Sequence, residues 1–275
     1  MKLILSLSLV LFTLTVFSQR PGKRKEATAS AESTVATETN GKKPSSENND
    51  SIKAGGHSES EAYSELRRKL TRPPDGIKKI LAMIDKIKPD SEKNEAIKAE
   101  DYNALSMREK FTYNMIHAES YCRDCAIPSA TKDEDKKIYA YLPGAYHEFA
   151  WSERQTKFFS GNRDSVIEFM KESMGRTKRA GVNFKQCMLE INAKEMIPDI
   201  IATFKANKKV KDLDLLTVLL NLMKDNEYEA FLVSGSYKKL YAEETHYKSY
   251  LNYSQSNVDL IIKRATDFYN ADHNK

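Results

Sequence analysis

Met196-Ile197-Pro198-Asp199-Ile200-Ile201-Ala202-Thr203-Phe204 decides how this chain is read. Its large apolar residues, Met196, Ile197, Ile200, Ile201 and Phe204, share one face of a helix and do not alternate as a strand would. A helix with one apolar stripe must cover it with another element. The same spacing occurs upstream in Ile77, Ile80, Leu81, Ile84 and Ile87, and near the C-terminus in Val258, Ile261, Ile262, Ala265 and Phe268. Start signals agree with it. Ser106 precedes Glu109, and Ser152 precedes Gln155, by the spacing of a capping box. Breakers punctuate the periodic stretches at Pro73-Pro74, Pro89, Pro143-Gly144, Gly161, Gly175 and Gly235. No alternating, strand-like pattern of useful length is present. The expectation is an all-α fold over residues 61–275, a helical bundle or a short α-solenoid of stacked helix hairpins. About 215 residues are enough for a sizeable core.

An internal echo extends this reading. Residues 166–191 can be laid on 200–225 with an offset of about 34, a period that suits stacked helix hairpins. Val166 and Ile167 fall on Ile200 and Ile201, Met188 and Leu189 on Leu222 and Met223, and Asn192 on Asn226. Phe169 falls on Thr203, and no third copy follows, so two unrelated helix pairs fit as well.

Upstream of residue 61 the composition changes. Residues 19–60 are rich in Lys, Glu, Ser, Thr, Ala and Asn, with Val35 and Ile52 as the sizeable apolar residues. Such a stretch cannot bury enough surface to offset its chain entropy and is read as a disordered polar linker. Within it, Asp50-Ser51-Ile52 resembles the Asp-Ser/Thr-apolar acceptor motif for O-glycosylation in some Gram-negative exported proteins, with Ser51 as the candidate. Residues 1–18 have the three parts of a secretory signal: a positive Met1-Lys2 start, an uncharged run from Leu3 to Phe17, and small residues at Val16 and Ser18. The expectation is export to the periplasm or the outside of the cell, with a mature chain beginning at Gln19 and no membrane span after cleavage.

Charge points to no polyanionic partner. The chain has 44 Lys and Arg against 39 Asp and Glu, a net +5 spread along its length. Nucleic-acid binding is not expected, because phosphate neutralisation needs bases clustered on one face. A protein or peptide partner remains open.

Cys122-Arg123-Asp124-Cys125 is the sharpest local feature. A c-type haem site would need His where Ala126 stands. A thioredoxin-type pair would follow a strand and open a helix, whereas here the pair is placed at the end of a helix that begins near Ser106. Zinc would need further ligands, such as Cys187 with His117 or His147. A structural disulfide suits an exported protein, and Cys122 and Cys125 are its candidates. Cys187 shares a helical face with Phe184, Met188 and Ile191 and is read as a small buried hydrophobe, though a bridge to the pair stays open. His117-Ala118-Glu119 suggests the H-x-E of zinc deaminases, but a shared helix could not wrap these groups and the thiols around one ion. No metal or cofactor is expected.

The other concentration runs from Ile138 to Trp151. Aromatic residues flank Pro143-Gly144, and a His147-Glu148 pair follows. His147 and Glu148 can act as acid and base; the zinc motif H-E-x-x-H fails at Trp151. The aromatics can equally pack two helices together. A ligand site is sought first among Tyr141, Tyr146, His147, Glu148 and Trp151. Downstream, Tyr237, Tyr241, Tyr247, Tyr250 and Tyr253 suit either a sticky surface or helix packing. With no Walker loop, G-x-G-x-x-G or G-x-S-x-G present, two functions remain. One is a non-enzymatic binding or scaffold module. The alternative is a small-molecule or peptide hydrolase centred on His147 and Glu148.

Overall fold

The computed structural model describes residues 59–123, 131–207, 211–243, 245 and 248–273, with side chains to 271. The signal segment, linker residues 19–58 with Ser51, Cys125 and Tyr247 lie outside the described residues, and helix begins at Glu59, two residues inside the expected linker. Helix dominates, as the periodicity implies. The N-terminal part comprises α1 (Glu59–Arg68), α2 (Ile77–Ile84), α3 (Ala99–Asn103) and α4 (Met107–Ile116). After the first three strands come α5 (Glu153–Gly161), α6 (Arg163–Thr177), α7 (Val182–Glu190), α8 (Ile197–Ala206) and α9 (Asp214–Asp225). Short helices α10 (Glu229–Leu232) and α11 (Gly235–Tyr241) lead through a strand to α12 (Gln255–His273).

The expectation of helix alone is corrected by four short strands among the described residues. These are β1 (Ser120–Tyr121), β2 (Lys137–Tyr139), β3 (Phe149–Ala150) and β4 (Tyr250–Asn252). β1 pairs antiparallel with β3, Tyr121 opposite Phe149. β2 pairs antiparallel with β4, Ile138 opposite Leu251. Strands this short cannot display a period of two, so no pattern announces them. Gly175 is also not a breaker; it lies inside α6.

α9 is the central element. Every residue from Asp214 to Met223 is buried, as for a helix surrounded by protein. It packs against α7, α8, α12 and β2. The three sequence stripes bury unequally. Met196, Ile197, Ile200 and Phe204 are buried, and so are Val258, Ile261, Ala265 and Phe268. Of the first stripe Ile80 is fully buried and Leu81 is exposed. Ile80 belongs to a second, smaller cluster with Ile97, Tyr102, Leu105 and Tyr113.

The ends of α7 and α9 close alike. Ala193 N–H donates to Met188 C=O, and Tyr228 N–H to Met223 C=O. Asn192 and Glu227 take the left-handed conformation there, with φ 48 and 51°, as expected just past a helix end. Asn192 and Asn226, 34 residues apart, exchange two side-chain hydrogen bonds of 2.9 and 2.7 Å.

Candidate functional site

The segment that carries the site is fixed from both ends by polar groups on buried helices. In α9, Asp214, Thr217 and Asn221 form a polar stripe. Thr217 Oγ1 donates to Tyr139 C=O and Asn221 Nδ2 to Ala140 C=O, both at 2.8 Å. Tyr241 OH adds a bond to Ala140 C=O at 3.0 Å. These bonds anchor the exit of β2. Asp214 takes two bonds from Arg67, from Nε at 3.1 Å and Nη2 at 3.0 Å. Beside it Lys185 Nζ meets Asp212 at 2.6 Å.

The far end of the segment rests on α4. A helix end leaves its last carbonyls without helical donors. Side chains provide them here. Trp151 Nε1 donates to Asn114 C=O at 2.7 Å, and Tyr146 OH to Met115 C=O at 3.0 Å. Asn183 Nδ2 also donates to Met115 C=O, at 2.6 Å. The rings of Tyr146 and Trp151 lie 5.7 Å apart edge-on, and Trp151 meets Phe159 at 4.8 Å. These two aromatics therefore cap the end of α4, and Trp151 also packs on Phe159 of α5.

Their outer surfaces nonetheless line one open cavity of ≈ 520 Å³. Leu142, Phe149 and Leu189 add apolar wall, while His147, Gln186 and Glu190 add polar groups. Of the sequence candidates, Tyr146, His147 and Trp151 meet here. Tyr141 instead lines a neighbouring cavity of ≈ 90 Å³ with Arg67, Glu134 and Tyr139. Leu142 and Gly144 line both. Glu148 is exposed and lines neither. Gln186, Leu189 and Glu190 of α7 were not among the candidates. Their one signal is a shared helical face that mixes a long apolar residue with polar ones.

His147 occupies a tight turn closed by Phe149 N–H to Tyr146 C=O at 2.9 Å. Its φ is 52°, a left-handed conformation that is costly for a residue with a Cβ. Among the described residues no hydrogen bond or ion pair links His147 to another side chain. A base oriented by a carboxylate, or a nucleophile in its reach, is therefore not assembled in this conformation.

The cysteine region differs from its sequence reading. α4 stops at Ile116, His117 is extended, and β1 follows, so Cys122 comes after a strand and not at a helix end. Cys122 is disulfide-bonded, and its N–H donates to Glu148 C=O at 2.6 Å. Cys187 is free and fully buried. A bridge from Cys187 to the pair is thus not formed. Burial pushes the Cys187 thiol well up and does the same to the Tyr146 phenol, so neither offers a ready anion.

His117 and Glu119 do not share a helix, yet they also do not converge. His117 Nε2 contacts Glu95 C=O at 2.5 Å. Glu119 is nearly fully buried and accepts from Tyr113 OH at 2.7 Å, Ser152 Oγ at 2.5 Å and the Arg154 guanidinium. A buried carboxylate satisfied on this scale is a structural anchor. Among the described residues no group of three or more His, Cys, Asp or Glu is placed to hold a metal ion. Among them also, no helix is long and apolar enough to cross a membrane.

No protein-family model, curated protein or solved structure matches this chain. The described residues form a mostly helical domain with two small antiparallel ladders and an aromatic-walled groove.

Proposed function

We propose that this chain is an exported, non-enzymatic binding module whose groove between Tyr146, Trp151 and Leu189 takes an apolar side chain of a peptide partner. One observation carries the reading. The groove is walled by aromatic and aliphatic groups with a few polar groups among them, which is the usual make-up of a recognition pocket. Its rear wall is preorganised, because Tyr146 and Trp151 are tied to the end of α4. The pairs α6–α7 and α8–α9 are read as two stacked hairpins supporting that wall. The linker would let the module reach from a tether or neighbour.

The hydrolase reading has one observation in its favour, the strained backbone at His147, since such strain clusters at functional sites. Peptide selection against the mature chain separates the two. Selected peptides should share an apolar or aromatic anchor, remain uncleaved, and lose at least about tenfold in affinity on Leu189→Gln, by analogy with truncated interface anchors. Cleavage of the bound peptides that stops on His147→Ala would establish the hydrolase instead.

A further inference from the structure

A second site, independent of the groove, lies where the chain leaving α1 crosses the chain leaving α6. Lys69, Leu70, Thr71, Arg72, Thr177 and Arg179 line an open cavity of ≈ 410 Å³. Three of these six residues are cationic and none is acidic. Neither Lys69 nor Arg72 forms an ion pair among the described residues. This is a local clustering of bases that the chain-wide charge count conceals.

The walls are rigid for a definite reason. Val182 N–H donates to Lys69 C=O at 3.2 Å, and Gly181 N–H to Thr71 Oγ1 at 2.6 Å. Asn183 closes both sides of Thr71, accepting from its N–H at 2.9 Å and donating to its C=O at 2.8 Å. A Cβ on Gly181 would lie 2.1 Å from Thr71 N, so the two segments can cross this closely only because residue 181 is glycine. Thr71 Oγ1 accepts from Gly181, which leaves its own hydrogen free to donate.

Arg179 is the unusual member. Its Nη2 donates to Lys69 C=O at 3.1 Å, which orients the guanidinium. Its Nε is buried and has no hydrogen-bond partner. Buried donors are nearly always paired, and an unpaired one is unfavourable. Burial also pushes the Arg179 guanidinium below its ordinary value, against the opposing charge of Asp212. Asp212 cannot supply the missing acceptor cheaply, because Lys185 already holds it at 2.6 Å.

We propose that this cavity binds a tetrahedral oxyanion, a phosphate or sulfate ester group, with Arg179 as the oriented anchor and Lys69 and Arg72 as outer arms. Three cationic side chains from two segments line this one cavity, and guanidinium and ammonium groups together suit an acceptor with several charged oxygens.

The test uses the full mature chain and inorganic phosphate, followed by thermal melting at constant ionic strength against chloride. Phosphate should raise the melting temperature saturably, as a ligand of the folded state must. Arg179→Gln should weaken the apparent affinity at least about tenfold, the cost of one charge-assisted hydrogen bond. The surface double variant Lys69→Ala with Arg72→Ala should also weaken it, and covers the case in which Arg179→Gln does not fold. Lys263→Ala, elsewhere on the surface, should leave it unchanged. Glucose 6-phosphate and phosphatidylglycerol vesicles then identify the source: binding of the first alone marks a soluble ester, and vesicle binding abolished by Arg179→Gln marks a headgroup. Inorganic sulfate tests the other ester class. Phosphate and sulfate responses both equal to that of chloride, or responses that survive both sets of cavity variants, overturn the proposal.

Discussion

Asp214 shows how much of this fold depends on a few buried charges. It is almost fully buried on the central helix, receives Arg67 in two hydrogen bonds, and has Lys185 3.8 Å away. Removing one partner of such a pair leaves an uncompensated charge in the interior, at a cost of about 3–5 kcal/mol. Asp214→Ala is expected to lose that much in urea unfolding, and Arg67→Met with Asp214→Leu not to recover it, because Arg67 also lies 3.4 Å from the buried Glu134. A loss below about 1 kcal/mol, the scale of a surface pair, would contradict the burial assigned to it. Glu195 is a gentler case. Burial raises its carboxyl, but the hydrogen bond and charge of Arg163 outweigh this and hold it below the usual 4.5. Because the folded value is depressed, the stabilisation is present above about pH 4.5 and is lost as pH falls through the folded value. The same guanidinium clasps Ile191 C=O at 2.8 Å. Melting temperature should therefore fall on acidification from pH 5 to 3, and Glu195→Gln should flatten part of that fall; an unchanged profile would remove Glu195 from the account.

At the scale of elements, the caps were the most legible features. Ser106 accepts from Glu109 N–H at 3.3 Å and Glu109 returns to Ser106 N–H at 2.9 Å. Ser106→Ala should cost about 1 kcal/mol in chemical denaturation, the usual worth of such a cap, and a neutral result would show that α4 is held by its packing alone. The second box forms as well, and its serine has a further partner. Gln155 Oε1 accepts from Ser152 N–H at 3.0 Å, while the Ser152 hydroxyl donates to Glu119. What escaped the sequence has physical reasons. Ladders of two or three residues have no readable period. The end of α4 has no sequence signal, because aromatic and polar residues continue through Tyr121 without a breaker; the stop comes from the extended His117 and from side chains that satisfy the last carbonyls. Half of the groove was visible as an aromatic cluster around a Pro-Gly turn. The other half is supplied by α7, whose Gln186, Leu189 and Glu190 look like an ordinary helix surface until β3 is placed beside them. The cationic cavity was hidden for the same reason, since Arg72 and Arg179 are remote in sequence and meet only through the crossing at Gly181.

At the scale of the whole molecule, α9 and the end of α4 act as two fixed supports, and the segment between Tyr139 and Trp151 spans them. The span turns at His147, an exposed residue with a left-handed backbone beside the groove. This division of labour places the binding surface on an irregular segment held by rigid helices, a common arrangement for recognition. The chain offers a single reporter for it, because Trp151 is its one tryptophan. Its indole N–H is hydrogen-bonded to Asn114 C=O at 2.7 Å while its ring lines the groove. The most direct measurement is therefore a titration of the 15N-labelled mature chain with a selected apolar-anchored peptide, following the one indole cross-peak. The account predicts a saturable shift of that peak, together with Leu189 and Gln186 amides, that Leu189→Gln weakens strongly. Saturable binding that moves other amides and leaves the Trp151 indole in place would contradict it.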